Sequence, residues 1–466
     1  MLISESQPIE LSRMDTALIR KYNVAGPRYT SYPTVPYWDD SSFSPEKWQS
    51  QLIHAFDTTN ATEGISLYIH LPYCESLCTY CGCNKRITKN HGVEQPYIEA
   101  VLREWKHYQS KFTSTPRISE LHLGGGTPTF FSPQNLRMLM NGLANSSTRV
   151  AKADLSFEAH PNNTTQAHLE ELYFLGFKRL SLGVQDFDLA VQSAIHRIQP
   201  FENVKRVTDW ARGIGYTSIN FDLIYGLPKQ TLLSVQDTIE RTLSLMPDRI
   251  AFYSYAHVPW VSPGQRGYSE ADLPTDEQKR ELYEAGKEML LEAGYVEIGM
   301  DHFALPNDAL SIADHNGLLH RNFMGYTTKS THLMLGLGVS AISDAWGAFA
   351  QNEKVVEDYI ARVEKDEMPV FRGHILTDED KRLRQHILDI MCRHTTRWNA
   401  SDAFPIDKNE LTNRLREPIK DGLVMLTDYG IDVTEKGRPF IRNICMALDA
   451  RLWRNEPKGS VFSSTV

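Results

Sequence analysis

From about residue 65 the chain repeats one unit, a short β-rich run followed by a longer helical segment. The runs are ISLYIHLP (65–72), ELHLGGG (120–126), DLSFEAHP (154–161), RLSLGVQ (179–185), SINFDLIYGLP (218–228) and RIAFYSYAHVP (249–259). The landmarks Gly125, Glu158, Gln185, Asp222 and Ala256 are 33, 27, 37 and 34 residues apart. That spacing fits a strand and a crossover helix feeding a parallel sheet. Each run is apolar through its body and turns polar or glycine-rich at its C-terminal end, at His70, Gly124–Gly126, Glu158, Gln185, Asp222 and His257. In barrels of parallel strands, the loops after the strand C-termini build the active site. Polar residues often end strands, but a coincidence on six consecutive units, one beside a cysteine cluster, points to a shared mouth. The expectation is an α/β fold, a partial (β/α)6 TIM-like barrel with one functional end.

The flanks differ from this pattern. Residues 1–57 read as an N-terminal arm or lid, because GPRYTSYPT (26–34) combines two prolines with three hydroxyl residues. The barrel with its extension is expected over 58–360, and a mostly helical, winged-helix-like cover over 361–466. DEQKRELYEAGKEMLLEAGY (276–295) reads as an amphipathic helix with Leu282, Ala285, Met289 and Ala293 on one stripe and a stop at Gly294. Thr377 can cap a helix carrying Leu383, Ile387, Ile390 and Met391, and LVMLTDYGIDV reads as a hairpin turning at Asp428–Gly430. Helices plus a wing would suit DNA, but 49 Lys+Arg against 58 Asp+Glu leave a net charge of −9, and a phosphate backbone rewards the opposite balance. No apolar run approaches the ~18 residues that span a bilayer, and the first residues lack a charged-then-apolar signal pattern. A cytoplasmic protein that binds neither nucleic acid nor membrane is expected, with the Asn-x-Ser/Thr triplets at Asn60, Asn162 and Asn399 as chance matches.

Six cysteines are present, and four fall within ten residues, in CESLCTYCGC. Such crowding reads as metal or redox chemistry rather than a disulfide scaffold. Cys392 and Cys445 sit in apolar helical patterns and read as small buried hydrophobes. Cys74, Cys78 and Cys81 have the spacing C-x3-C-x2-C. Three thiolates from one loop can hold three irons of a [4Fe–4S] cluster and leave the fourth iron open, as a reactive site requires. Structural zinc with Cys83 as fourth ligand is the alternative, although zinc sites usually pair two hooks from separate segments and Cys81-Gly82-Cys83 would strain the cage.

The cysteine motif with Tyr80 before its third member, at the end of a first strand, followed by GGGTPT after the second, resembles the radical S-adenosylmethionine (SAM) superfamily. The resemblance implies that the open iron chelates SAM and that the glycine-rich loop admits close backbone approach to its methionine part. It also implies that an electron from the cluster releases a 5′-deoxyadenosyl radical, which the barrel shields from water and aims. GPRYTSYPT, LYIHLPYCESLCTYCGCNK, LGVQDFD, DLIYGLPKQT, MDHFALP, HRNFMGYTT, GLGVSAIS and KGRPFIRNIC go further and resemble the oxygen-independent coproporphyrinogen III oxidase family, from about residue 20 to the last helix. This implies oxidative decarboxylation of two propionates of coproporphyrinogen III to vinyl groups, giving protoporphyrinogen IX, with a low-potential electron donor and a monomeric chain. A radical SAM haem chaperone or methyltransferase is the nearest alternative, and a zinc-stabilised binding protein is the alternative from another class.

By the same resemblance, Cys74, Cys78 and Cys81 match the cluster ligands, and Cys83 matches a cysteine that does not bind the cluster. Tyr68, Gly125, Glu158 and Ile342 match positions around the cluster-bound SAM. Tyr80, Gly126, Thr127, Gln185, Arg197, Asp222 and Ala256 match those around a second SAM. Asp222 suits ribose hydroxyls and Arg197 a carboxylate. No side chain is singled out as catalytic, because the radical arises at the cluster. A substrate with four carboxylates needs cations despite the acidic balance, and Arg28 and Arg321 are the candidates. His70 and His302 are further residues for the mouth, although a structural hydrogen bond explains either equally well.

Overall fold

Six strands form on the six runs: β1 (Ile65–Leu71), β2 (Arg117–Gly125), β3 (Thr148–Ala159), β4 (Arg179–Gln185), β5 (Ser218–Tyr225) and β6 (Arg249–Ser254). Helix α1 (Pro45–Thr59) precedes them. The crossovers are α2 (Glu94–Gln109), α3 (Pro133–Ala144), α4 (Gln166–Phe174), α5 (Phe201–Ile214) and α6 (Leu232–Leu245). The computed structural model describes residues 16–260, 262–401, 404–455 and 462–465, so the start of the expected arm, residues 1–15, lies outside the described residues. Local chemistry sets the helix starts. Ser132, Thr165 and Thr231 accept backbone N–H groups of Asn135, His168 and Ser234 at the first turns of α3, α4 and α6. Each such cap contributes about 1 kcal/mol.

Neighbouring strands from β1 to β6 all pair in parallel. One face is apolar: Leu67, Ile69, Leu121, Leu123, Phe157, Leu182, Phe221 and Leu223 are buried in a single core with residues of the helices. The alternate positions His122, Ser156, Glu158, Ser181, Asn220 and Asp222 face the inner cavity, as the two-residue strand period requires. The barrel interior is therefore polar, which suits a chamber rather than a packed core.

The sheet extends beyond the six repeats. Strands β7 (Val296–Gly299), β8 (His302–Ala304), β9 (Met334–Leu337), β10 (Ile342–Asp344), β11 (Ala348–Asn352) and β12 (Val370–Ile375) complete the order β12-β11-β10-β9-β1-β2-β3-β4-β5-β6-β8-β7. The strand β9 pairs in parallel with the free edge of β1, so the parallel part holds seven strands rather than six. It is short and no crossover helix follows it, so the repeat gave no sign of it. The edge strand β12 lies past residue 360, within the interval assigned to the C-terminal cover.

Helix α7 (Asp276–Glu292) forms with Thr275 as cap, and Gly294 follows it at φ +87°. Its buried stripe is Leu282, Tyr283, Gly286 and Leu290, so only Leu282 of the expected stripe is buried. The reason is Gly286, which admits the Phe252 ring against the helix and rotates the contact face. In the C-terminal unit, α8 (Asp378–Arg393) starts at a Thr377–Asp380 capping box and buries Leu383, Ile387, Ile390 and Met391. The hairpin of Val424–Thr427 and Gly430–Val433 forms, with Thr395–Arg397 added as a third strand. Tyr29 and Tyr32 of the arm share one core with α8 and α9 (Ile441–Leu448). Arg442 of α9 donates to the carbonyls of Gly26 and Pro27, fixing the arm on the cover. Cys392 and Cys445 are buried free thiols. Among the described residues, no helix is long and apolar enough to cross a membrane.

Candidate active site

Strand register sets the strand ends side by side: His70 lies beside Gly124, Leu71 beside Gly125, Glu158 beside Ser181, and Asp222 beside both Gly183 and Ala251. They open into a cavity of about 530 Å³. Cys74, Cys78, Tyr80, Cys81, Gly125, Gly126, Thr127, Glu158, Gln185, Arg197, Asp222 and Ala256 all line it. Tyr68, Ile342, Arg28 and Arg321 do not.

The cysteine loop leaves β1 through a two-residue strand, Tyr73–Cys74, which pairs in parallel with Arg86–Ile87. Three contacts clamp it. The Thr88 N–H donates to the Cys74 carbonyl (2.9 Å), and the Thr79 N–H donates to the Ile195 carbonyl (3.0 Å). Gln265, fully buried, donates to the carbonyls of Tyr80 and Ala256, both at 3.1 Å, and accepts from the Val258 N–H at 2.6 Å. The Cys74 Sγ is 3.3 Å from Thr127 Oγ1, and Cys78 Sγ accepts from Arg197 Nη1 at 3.6 Å. A hydrogen bond with the Cys83 thiol, helped by the Lys85 charge, lowers the Cys81 thiol to about 6. The same contact pushes Cys83 upward.

After β2 the chain makes its glycine turn. Gly125 sits at φ +113°, open to glycine and strained for other residues. A Cβ on Gly126 would strike the Pro72 carbonyl, so the turn can press against the cysteine loop only without a side chain. Glu158 accepts from the Gly125 N–H and from His122 Nε2, both at 3.3 Å, while His122 Nδ1 meets Ser156 Oγ at 2.8 Å. The Tyr68 ring stacks on His122, with centroids 6.1 Å apart. Tyr68 therefore stands behind the wall. His70 is held in a structural hydrogen-bond chain. Its Nε2 faces the Asn84 carbonyl at 2.8 Å and so carries the proton, leaving Nδ1 to accept from the Tyr68 hydroxyl at 3.1 Å. His302 does line the cavity, and burial lowers its imidazole to about 4.

Further round, Asp222 accepts from Ser181 Oγ (2.9 Å) and Asn220 Nδ2 (2.8 Å). Burial first, and then the Glu158 charge, push its carboxyl up to about 7. Arg197 donates through Nη2 to the Gly183 carbonyl at 2.5 Å. Its Nε, and Oε1 of Gln185, are buried with no partner among the described residues. Buried polar atoms are nearly always paired, so this pair marks a place for a polar ligand.

The outlying candidates occupy different surroundings. Ile342, on β10, packs with the cluster of Trp38, Phe349 and Leu376. Arg28 pairs with Asp301 at 3.2 Å and lines a second, smaller cavity of about 70 Å³. Arg321 is only 7% exposed. Its guanidinium lies 4.5 Å over the ring of Tyr326, a residue of the main cavity wall, and Nε and Nη1 have no partner among the described residues. Among the lining residues that sequence reading missed are His122, Ser156, Ser181, Asn220 and Gln265. The first four carried a signal: Ser156, Ser181 and Asn220 each stand two residues before Glu158, Gly183 and Asp222, and His122 two before Gly124, so the same strand face repeats. Gln265 lies in an irregular loop and carried none.

The sequence model of the radical SAM superfamily matches residues 68–242. The chain is 40% identical to the oxygen-independent coproporphyrinogen III oxidase of Escherichia coli, over 97% of this chain and 98% of that protein. It is 36% identical to the Synechocystis protein of the same name, over 96% and 97% of the two chains. The solved structure of the Escherichia coli enzyme, described as a radical SAM enzyme, superposes with a TM-score of 0.85 at 38% identity, covering 94% of this chain and 98% of that one. The chain belongs to the oxygen-independent coproporphyrinogen III oxidase family. Membership of the radical SAM superfamily implies a [4Fe–4S] cluster and SAM. The residues present fit both groups. Three half-buried thiols on one loop face a common cavity. Beside them lie a turn closed to any Cβ and two buried polar atoms that await partners.

Proposed function

We infer that this family member oxidatively decarboxylates two propionates of coproporphyrinogen III to vinyl groups without oxygen, giving protoporphyrinogen IX for haem biosynthesis. The observation that carries this reading is the convergence of Cys74, Cys78, Cys81, the turn at Gly125–Gly126 and Glu158 on one cavity. Each conversion removes one hydrogen atom, one CO2 and one electron. The bound cluster and SAM supply the one-electron chemistry that takes the hydrogen atom.

The chain's own residues bind and orient. In this reading Cys74, Cys78 and Cys81 hold three corners of the cluster. Glu158, steadied by the Gly125 N–H and His122, presents its carboxylate to the SAM amino group. Tyr68 acts through the ring it stacks on His122, and Ile342 acts from β10. A second SAM is proposed against Tyr80, Gly126, Thr127, Gln185, Arg197, Asp222 and Ala256, and the unpartnered Gln185 Oε1 and Arg197 Nε support it. An Asp222 carboxyl that titrates near neutrality can donate to, or accept from, a ribose hydroxyl. Arg321, and Arg28 once released from Asp301, are proposed for the substrate carboxylates. A cytoplasmic, monomeric enzyme completes the reading. Anaerobic incubation of cluster-loaded protein with SAM, a reductant and coproporphyrinogen III should release CO2 and form protoporphyrinogen IX. Formation of 5′-deoxyadenosine with neither product would assign the chain a different substrate.

A further inference from the structure

The cavity has a second end, remote from the cysteine loop. Arg179 opens β4 and Arg249 opens β6, on either side of the start of β5, where Arg179 lies beside Ser218 and Arg249 beside Asn220. Arg179 and Ser181, Ser218 and Asn220, and Arg249 and Ala251 all line the cavity. The members of each pair are two residues apart, as one strand face requires. Arg179 stands six residues before Gln185, about 20 Å along the strand.

Both guanidiniums are held from behind. Arg249 is 6% exposed, and its Nε donates to Asp308 Oδ1 at 2.7 Å. Asp308 also accepts from the Ser218 hydroxyl (3.0 Å) and the Leu310 N–H (2.7 Å), which fixes its position. Arg179 donates through Nε to Asp154 at 2.8 Å and through Nη2 to Ser156 Oγ at 3.2 Å. Both arginines line the cavity, and neither of these acids does. Nη1 and Nη2 of Arg249 and Nη1 of Arg179 have no hydrogen-bond partner among the described residues, and none of the three is sealed from solvent. They therefore open on the cavity. Glu120 also lines this end. It already accepts from Ser66 Oγ (3.0 Å) and Thr327 Oγ1 (2.6 Å), and burial pushes its carboxyl upward, towards the neutral form. Burial, and then the Arg179 charge, lower the Arg249 guanidinium to about 10. An anion placed between the two like charges would relieve that repulsion.

We propose, on the functional reading above, that Arg179 and Arg249 together clamp one propionate carboxylate of the tetrapyrrole at this end of the barrel, so that a propionate on another ring is turned towards the cysteine loop. A planar guanidinium with a free Nη edge matches a carboxylate in both geometry and charge. Asp154 and Asp308 hold the two arginines without competing for the Nη donors. Arg28 and Arg321 stand elsewhere, so the clamp is an additional subsite. The carboxylate it holds is bound and does not react, which makes the pair binding residues that set the orientation of the ring system.

The test measures binding of coproporphyrinogen III to the cluster-loaded full chain by anaerobic equilibrium dialysis, with the ligand afterwards oxidised to its fluorescent porphyrin for detection. Arg249→Met is combined with Asp308→Asn, so that no unpaired acid remains and the Asn still caps the helix Ala309–His315. Arg137→Met with Glu171→Gln removes an ion pair away from the cavity and serves as control. Kd should rise about tenfold or more in the first double variant and stay unchanged in the control. Iron and sulfide content, and 5′-deoxyadenosine formed without substrate, should match the wild type in both. The tetraamide of coproporphyrinogen III has no carboxylate and should bind the first variant and the wild type alike. Arg249→Lys keeps the Asp308 pairing but loses the fork and should raise Kd in the same direction, so the comparison survives if the double variant does not fold. An unchanged Kd for the acid, or a loss of equal size for the tetraamide, would overturn the clamp. A wild type that binds no coproporphyrinogen III would instead overturn the functional reading beneath it.

Discussion

Arg321 holds its charge behind the cavity wall with Nε and Nη1 unpartnered among the described residues. A buried donor left without an acceptor costs about 1–3 kcal/mol, and more when charged, so the Tyr326 ring and the bond from Nη2 to the Arg28 carbonyl offset only part of the cost of keeping an arginine there. Arg321→Met keeps the stem against Tyr326 and removes the charge. Its melting temperature should equal or exceed that of the wild type, while KM for coproporphyrinogen III rises about tenfold or more, the loss of one charge-assisted hydrogen bond. Thermal denaturation and steady-state kinetics check this; a lower melting temperature with unchanged KM would make Arg321 structural. Sequence put Arg28 and Arg321 on equal terms because each is one arginine in a motif. Only the fold separates them, by setting Asp301 at 3.2 Å from Arg28 and giving Arg321 a ring and a backbone carbonyl, with no acid partner among the described residues.

At the scale of elements, the site is a row of strand ends closed by loops. The row was legible, since strand period and repeat length brought Glu158, Gln185 and Asp222 to one mouth. What holds the loops together was not. Gln265 ties the cysteine loop at Tyr80 to the loop at Ala256 and Val258 through contacts from residues far apart in the chain. Gln265→Leu orphans two carbonyls and one N–H, each at about 1–3 kcal/mol. The melting temperature should drop by several degrees. Iron and sulfide content should stay at the wild-type level, because no thiol ligand is touched. Turnover should fall about 10- to 100-fold as Ala256 and Tyr80 lose their relative placement. Loss of the cluster in this variant would show that Gln265 supports the cysteines rather than the alignment of the two loops.

For the whole molecule, the joint between the barrel and its antiparallel extension turns on one carboxyl. Glu104 of α2 accepts from the Tyr359 hydroxyl (2.6 Å), the Gly338 N–H (2.8 Å) and Asn352 Nδ2 (2.7 Å). Burial pushes its carboxyl up to about 7 despite these donors. A folded-state value above the unfolded one gives stability that is present below about 4.5 and lost as pH rises through about 7. The loss is of the order of 3 kcal/mol. Glu104→Gln removes this slope, so denaturant unfolding should show the stability gap between wild type and variant shrinking from pH 5 to pH 8. A constant gap would mean that Glu104 stays ionised throughout.

The sequence by itself determined the repeat, the parallel sheet, the cysteine loop and the glycine turn, because each depends on chemistry within about ten residues or on one strand–helix period. The extra parallel strand at the free edge of β1 was decided by tertiary structure, since β9 is too short and too isolated to carry a period. Tertiary structure also decided the buried stripe of α7, because the Phe252 ring and not the helix's own pattern selects the contact face. The surroundings of Arg321 followed the same rule. A charge of −9 is a sum over the chain, whereas the environment of Arg321 depends on neighbours that only folding brings together.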